Sequence, residues 1–323
     1  MAGESRARWP EVADSADPEL VELGLSRMAG NVPGGVERVS EDAVLRRYVV
    51  TAMAAGPFLT RILVTVEGAL DVLASPRRPV RPVRPLARWK ALELLRVAAL
   101  DLTGSLSLEE VGEALADLAD GLLEAACTES GLARDLAVVA MGKLGARELN
   151  YGSDIDIVLV GHGDAQRLLH LVRPAWRTDL DLRPEGRAGP LVRSLASYEA
   201  YWDRWAATWE FQALLKARPV AGNVQLGEDF AQAASRRVWG RPLGADALRS
   251  LREMKARTEK LVGKRGLSDR EIKLGWGGIR DIEFAVQLLQ LVHGRDDTSL
   301  RVPGTLPALN ALAAGGYVAP EDA

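Results

Sequence analysis

Cysteine is almost missing from this chain. Cys127 is the only one among 323 residues, so no internal disulfide can form. On a helix its expected role is that of a small apolar filler. Histidine is scarce as well, with three in all. His162 and His170 stand alone, one in a loop and one on a helix, where solvent exposure is expected. There is no basic excess: 41 Lys and Arg face 44 Asp and Glu, a net charge of −3. That balance argues against a nucleic-acid partner, which would require a basic surface. Long apolar runs are absent too. The most apolar window, Val49–Val66, contains Pro57 and Arg61, so it is not a membrane span. The start, Met-Ala-Gly-Glu-Ser-Arg, lacks an apolar signal core. A reducing cytoplasm is the expected compartment, with no membrane partner. What is present, 47% apolar and 26% charged residues, suits a globular protein of one large or two modest domains.

The N-terminal third reads as helices. Leu20–Met28 predicts a short one, and Ser40 is a plausible N-cap for another through Val44, Leu45, Tyr48 and Val49. Pro57 should end that helix or start the next. Ser75–Pro85 is rich in proline and arginine and reads as a solvated, extended linker. Helical periodicity resumes over Trp89–Leu102. Ser107-Leu-Glu-Glu110 has capping-box spacing ahead of a helix carrying Val111, Leu115, Leu118 and Leu122.

The stretch 136–160 carries the chemistry. Leu136–Met141 is a valine-rich apolar run, as in a buried strand. Gly142 breaks it, and Leu144–Asn150 has room for two helical turns. Asp154, Ile155, Asp156 and Ile157 then alternate acid with branched apolar residues. Strand side chains point to alternate faces, so both acids share one face and both isoleucines enter a core. Two adjacent carboxylates repel, and a hard cation such as Mg²⁺ removes that cost. A glycine turn into a short helix, followed at this distance by an acid-x-acid strand, is the layout of the nucleotidyltransferase superfamily. The turn, with Gly142 and Lys143, suits a phosphate. A third acid is expected from Thr178–Leu182, where Asp179 and Asp181 share one face of a short strand ending before Pro184.

Four blocks in order, Gly142–Asp156, Leu182–Arg193, Trp209–Gly222 and Ile272–Phe284, resemble glutamine synthetase adenylyltransferase, in a form like that of actinobacteria. That enzyme family attaches AMP to a tyrosine of glutamine synthetase and removes it. The resemblance implies an α+β fold: a polymerase-β-like nucleotidyltransferase mixed sheet with packed helices, flanked by helical segments. It implies domains at about 1–88 (helical, with the linker), 89–230 (catalytic) and 231–323 (helical). The metal carboxylates would be Asp154, Asp156 and Asp179. Gly142, Lys143, Ser153, Arg183, Arg187, Lys216, Arg218, Lys273 and Arg280 would contact nucleotide or phosphate. The blocks Arg183–Arg193 and Lys273–Phe284 look like the N-terminal, adenylyl-removing head. The expected reaction is therefore phosphorolysis of adenylyl-tyrosine to ADP. ATP-dependent attachment and a weakly catalytic nucleotide-binding module are the alternatives. Partners would be glutamine synthetase, ADP or ATP, phosphate and a nitrogen-regulatory protein. Only 22 residues separate Asp156 from Asp179, where the family has a longer connection. Asp181 stands where the family has a basic residue, and Trp276 where it has proline.

Beyond the acids, Arg183, Arg187 and Arg193 flank a glycine- and proline-rich turn that would cradle an anion. Ser197 is a candidate cap for one long helix, Tyr198–Ala217, closed by Pro219. Its aromatic stripe of Tyr198, Trp202, Trp205 and Trp209 should face a core. Leu248–Val262 and Ile279–His293 read as further helices, the latter burying Ile282, Val286, Leu289 and His293. The family continues beyond Ala323 into more helices, so the chain reads as a fragment or excised domain.

Overall fold

The computed structural model describes residues 9–240 and 277–319, together with 244, 249, 253, 256, 272, 273 and 321. The expected helix Leu248–Val262 lies largely outside the described residues. The chain divides into two compact units. The first comprises residues 1–122 with the loops Leu149–Ser153 and Leu171–Arg177; the second comprises Leu123–Glu148, Asp154–His170 and 178–323.

Helices build the first unit: α1 (Pro10–Ala13), α2 (Pro18–Asn31), α3 (Gly35–Glu41), α4 (Ala43–Ala54), α5 (Pro57–Thr65), α6 (Ala69–Ala74) and α7 (Leu86–Leu102). Helix α8 (Leu108–Ser130) belongs to it as far as Leu122. Local chemistry sets the boundaries. Pro57 starts α5 at a position where its missing N–H costs nothing. The capping box at α8 forms as expected: Ser107 N–H reaches Glu110 at 2.7 Å and Glu110 N–H reaches Ser107 Oγ at 3.2 Å. The cap of α4 differs from expectation. Asp42, not Ser40, accepts from Val44 and Leu45 N–H, and Ser40 lies inside α3. A carboxylate is the better partner for the positive end of a helix.

The Ser75–Pro85 stretch is docked through Pro76, Val80 and Val83, while its four arginines are exposed as expected. Buried Glu93 and Arg96 on α7 pair at 2.6 Å. Glu93 accepts Val80 N–H, Arg96 donates to Pro76 O, and Trp89 Nε1 donates to Val80 O. Val80 and Val83 pack on the core formed by α2, α4, α5, α6 and α7. The loop Leu149–Ser153 is anchored in the same unit. Tyr151 OH donates to Asp101 at 2.8 Å, and Trp176 Nε1 and Arg177 Nη2 donate to the carbonyls of Ser153 and Gly152. Lys90 Nζ lies 4.0 Å from the Trp176 ring centre, and burial pulls its pKa down to about 8.

A mixed sheet forms the second unit. Its strands are β1 (Leu136–Ala140), β2 (Ile155–Gly161), β3 (Thr178–Asp179), β4 (Val192–Arg193) and β5 (Arg218–Gly222). The order is β3-β2-β1-β5, with β4 also on β2. β1 runs antiparallel to β2 and β5, while β3 and β4 run parallel to β2. Leu159 and Val160 pair β1 on one edge of β2, so β4 takes the other edge. Helix α9 (Gly142–Gly145) follows β1, and α10 (Ala165–Val172) crosses from β2 to β3. Next come α11 (Leu195–Arg204), α12 (Thr208–Leu214), α13 (Val224–Gly240), α14 (Ile279–His293) and α15 (Thr305–Ala314). Tyr198, Trp202 and Phe230 form the aromatic centre of the core beneath the sheet, with ring centres 5.0–5.6 Å apart.

Five expectations need correction here. Helix α9 has four residues, not the two turns expected over Leu144–Asn150, because Arg147 turns left-handed at φ 60° and ends it. The single helix 198–217 is two helices, the first capped by Ser194 rather than Ser197. Trp205 falls at their junction and is 75% exposed, so the aromatic stripe is broken. Pro219 does not end a helix; it lies in β5, an edge strand, where a residue without N–H is tolerated. On α14, Val286 is buried but Ile282 is half exposed.

Candidate active site

Three features of the sheet place the acids. β2 alternates as expected, with Ile155 and Ile157 buried and Asp156 only partly so. Asp154 precedes the strand and is exposed. In the parallel ladder Asp156 sits directly opposite Asp179, so the two carboxylates rise from one face of adjacent strands. The eight-residue helix α10 suffices for the crossover, and the short connection does bring Asp179 beside Asp156. Asp181 does not share that face. The strand ends at Asp179, whose Oδ1 accepts the Asp181 N–H at 2.7 Å, and Asp181 turns away to Arg187 at 2.7 Å.

Electrostatics bind these residues into one site. Burial pushes the Asp156 carboxyl up to about 6, and the charges of Asp179 and then Asp154 push in the same direction. Lys273 and Lys143 oppose them. Gly142, at φ 52°, lies so close that a Cβ there would overlap the Asp156 carboxylate. Gly142 thus abuts Asp156, and the charges of Asp154, Asp179, Lys143 and Lys273 all act on that carboxyl.

The donor set has the chemistry a hard divalent ion requires: carboxylates only, with repulsion that a cation would relieve. Among the described residues, however, no group of three or more acidic, histidine or cysteine side chains converges tightly enough to form a finished metal cage. The acids fit a cation as a facing pair with Asp154 beside it, not as a closed ring.

The other residues expected to contact nucleotide or phosphate make bonds within the protein. Arg183 is buried and donates to Leu180 O at 2.7 Å and Gly189 O at 3.1 Å, so it braces the loop between β3 and β4. Arg187 is 88% exposed and pairs with Asp181. Arg193 pairs with Glu185 and donates to Ser197 Oγ. Ser153 Oγ donates to Asn150 Oδ1 at 2.8 Å within its own turn. Lys216 is 6% exposed and held by Glu148 and Thr305, while Arg218 donates to Leu144 O at 3.0 Å and Gly145 O at 3.3 Å. Arg280 is exposed in the first turn of α14, and its N–H bonds Lys273 O at 3.0 Å. Glu148 was not singled out from the sequence. Only its place within the Gly142–Asp156 block signalled it, because its partners are 68 and 157 residues away.

The site so far is a glycine turn beside facing carboxylates on a mixed sheet. Comparison with known proteins supplies the family. The family model for glutamate-ammonia ligase adenylyltransferase matches residues 69–168 and 172–233, and the break falls inside α10. The chain belongs to that family. A model for GlnD PII-uridylyltransferase matches residues 247–323. Bifunctional glutamine synthetase adenylyltransferase/adenylyl-removing enzymes from Streptomyces avermitilis and Streptomyces coelicolor are 38% and 40% identical to it over 96% of this chain. One from Mycobacterium tuberculosis is 48% identical over 71%. The chain spans 36% of the length of the two Streptomyces relatives. No helix among the described residues is long and apolar enough to cross a membrane.

Proposed function

We propose that this chain carries a polymerase-β-like nucleotidyltransferase site that removes AMP from adenylyl-tyrosine of glutamine synthetase by phosphorolysis. The observation that carries the reading is the register of Asp156 against Asp179, with Asp154 two residues before Asp156. Membership in the adenylyltransferase family supports the substrate, and the blocks Arg183–Arg193 and Lys273–Phe284 support the direction.

In this reading an oxygen of inorganic phosphate attacks the α-phosphorus. The bond from phosphorus to the tyrosine oxygen breaks, ADP leaves, and the proton of hydrogenphosphate passes to the phenolate. The nucleophile arrives ionised, so positioning and charge neutralisation matter more than a strong base. Lys143 and Lys273 offset the negative charge gathered at the acids. The Asp181 N–H fixes one oxygen of Asp179 and so sets the direction of its carboxylate. Mg²⁺, when bound by Asp154, Asp156 and Asp179, would supply Lewis-acid stabilisation of the phosphoryl oxygens. The match of residues 247–323 to a uridylyltransferase of PII supports a nitrogen-regulatory protein as a further partner.

The deciding experiment supplies adenylylated glutamine synthetase, Mg²⁺ and phosphate, and assays ADP. ADP formation is the expected result. Pyrophosphate release from ATP and unmodified synthetase, with no ADP from the adenylylated form, would reverse the direction. The open arrangement of the acids favours a second reading, a nucleotide-binding regulatory module. Nucleotide binding without turnover by either route, unchanged in Asp156→Asn, would establish that instead.

A further inference from the structure

We propose that Glu148 is a positioning residue of the turn Gly142–Arg147 and acts by tying that turn to helix α15 through Thr305. The proposal rests on the reading above, that this turn receives the phosphates of the nucleotide. Glu148 closes the turn: it follows left-handed Arg147, and its N–H bonds Lys143 O at 2.8 Å. Its carboxylate then satisfies three donors. Oε1 accepts the Thr305 N–H, and Oε2 accepts Thr305 Oγ1 at 3.0 Å and Lys216 Nζ at 3.3 Å. Lys216 Nζ also lies 3.3 Å from Thr305 Oγ1, so the triangle is closed.

Two physical points make this more than packing. First, α15 has no side-chain cap of its own, because its N-cap residue is Gly304. Glu148 supplies the missing acceptor from 157 residues away, at the positive end of the helix. Docking of α15 and closure of the turn therefore share one carboxylate. Second, the turn has no slack on that side. A Cβ on Gly145 would overlap the Lys216 carbonyl oxygen, and Arg218 grips the carbonyls of Leu144 and Gly145. On its other side Gly142 abuts Asp156. A loosened Glu148 thus displaces the turn relative to the acids. Glu148 lies in the part matched by the adenylyltransferase model and Thr305 in the part matched by the uridylyltransferase model, so the clasp links the two.

The test uses the full chain with Thr305→Val, which removes only the hydroxyl, Thr305→Ser, which keeps it, and Glu148→Gln, which keeps shape but not charge. ADP affinity is measured by equilibrium dialysis, and kcat and the KM for phosphate by steady-state phosphorolysis. Thr305→Val and Glu148→Gln should weaken ADP binding and raise KM about tenfold, the size expected for one charge-assisted hydrogen bond, with kcat changing less than about twofold. Thr305→Ser should behave as the unsubstituted chain. Unchanged ADP affinity in folded Thr305→Val or Glu148→Gln overturns the clasp, as does an equal loss in Thr305→Ser. If the unsubstituted chain binds ADP but turns over in neither direction, the proposed reaction falls and ADP affinity alone decides the clasp. If it binds no ADP, both fall.

Discussion

Asp156 is an uncomfortable carboxylate. Burial and two neighbouring acids lift its pKa from 3.8 to about 6. A raised acid means that the fold prefers the protonated form. The stability this group contributes is fully present below about 3.8 and is lost as pH rises through about 6. Asp156→Asn should therefore abolish turnover and yet melt higher than the unsubstituted chain at pH 8 without divalent ions. Two pKa units set an upper bound near 3 kcal/mol, and partial exposure reduces the gain to about 1–2 kcal/mol. The advantage should vanish by about pH 4. Calorimetry across that range checks it, and a lower melting temperature at pH 8 would mean that the acids do not repel as described. Gly145 poses the opposite case. A methyl group there meets backbone rather than a movable side chain, so Gly145→Ala should cost at least 1–3 kcal/mol in urea unfolding. A neutral result would show that the turn is not braced by Lys216.

Elements with local causes were legible in the sequence, and elements with distant causes were not. The valine-rich run at Leu136–Met141 forms the buried strand β1, and the Ser107–Glu110 box forms as spaced. The alternation at Ile155–Ile157 buries the isoleucines as expected. In each case the cause lies within a few neighbouring residues. β5 was missed because it is half-buried throughout and shows no alternation; its partner β1 lies about 80 residues earlier. The protein partners of Lys216 and Arg183 were hidden for a related reason. A cation near a phosphate motif suggests an anion, but both side chains are spent on protein acceptors that the sequence does not place beside them.

The Ser75–Pro85 strap shows the same lesson in a testable form. Its docking depends on the Glu93–Arg96 pair, of which both members are buried. Breaking one partner of a buried pair leaves an uncompensated charge and costs about 3–5 kcal/mol. Glu93→Leu removes both the pair and the acceptor for Val80 N–H, whereas Glu93→Gln keeps the acceptor. Glu93→Leu should therefore destabilise more than Glu93→Gln, and both should speed tryptic cleavage after Arg77, the one arginine of the strap not followed by proline. Cleavage rates equal to those of the unsubstituted chain would mean that the strap is held by its valines alone.

For the whole molecule, the division into two units predicts where a ligand is felt. Asp156 and the charges acting on it, Asp154, Asp179, Lys143 and Lys273, all belong to the second unit, as do Glu148, Lys216 and Thr305. A ligand that binds only the folded site stabilises what it touches by about 2.7 kcal/mol at one hundred times its Kd. ADP with Mg²⁺ should therefore slow amide exchange in β1, the turn after it, β2 and β3, and also at the start of α15 if the Glu148 clasp transmits it. The helices α2–α6, whose core is built among themselves and α7, should exchange at their ligand-free rate. Hydrogen exchange followed peptide by peptide distinguishes the cases. Protection centred on α2–α6, with none at the turn or the facing acids, would place the ligand in the helical unit and remove the sheet from the proposed chemistry.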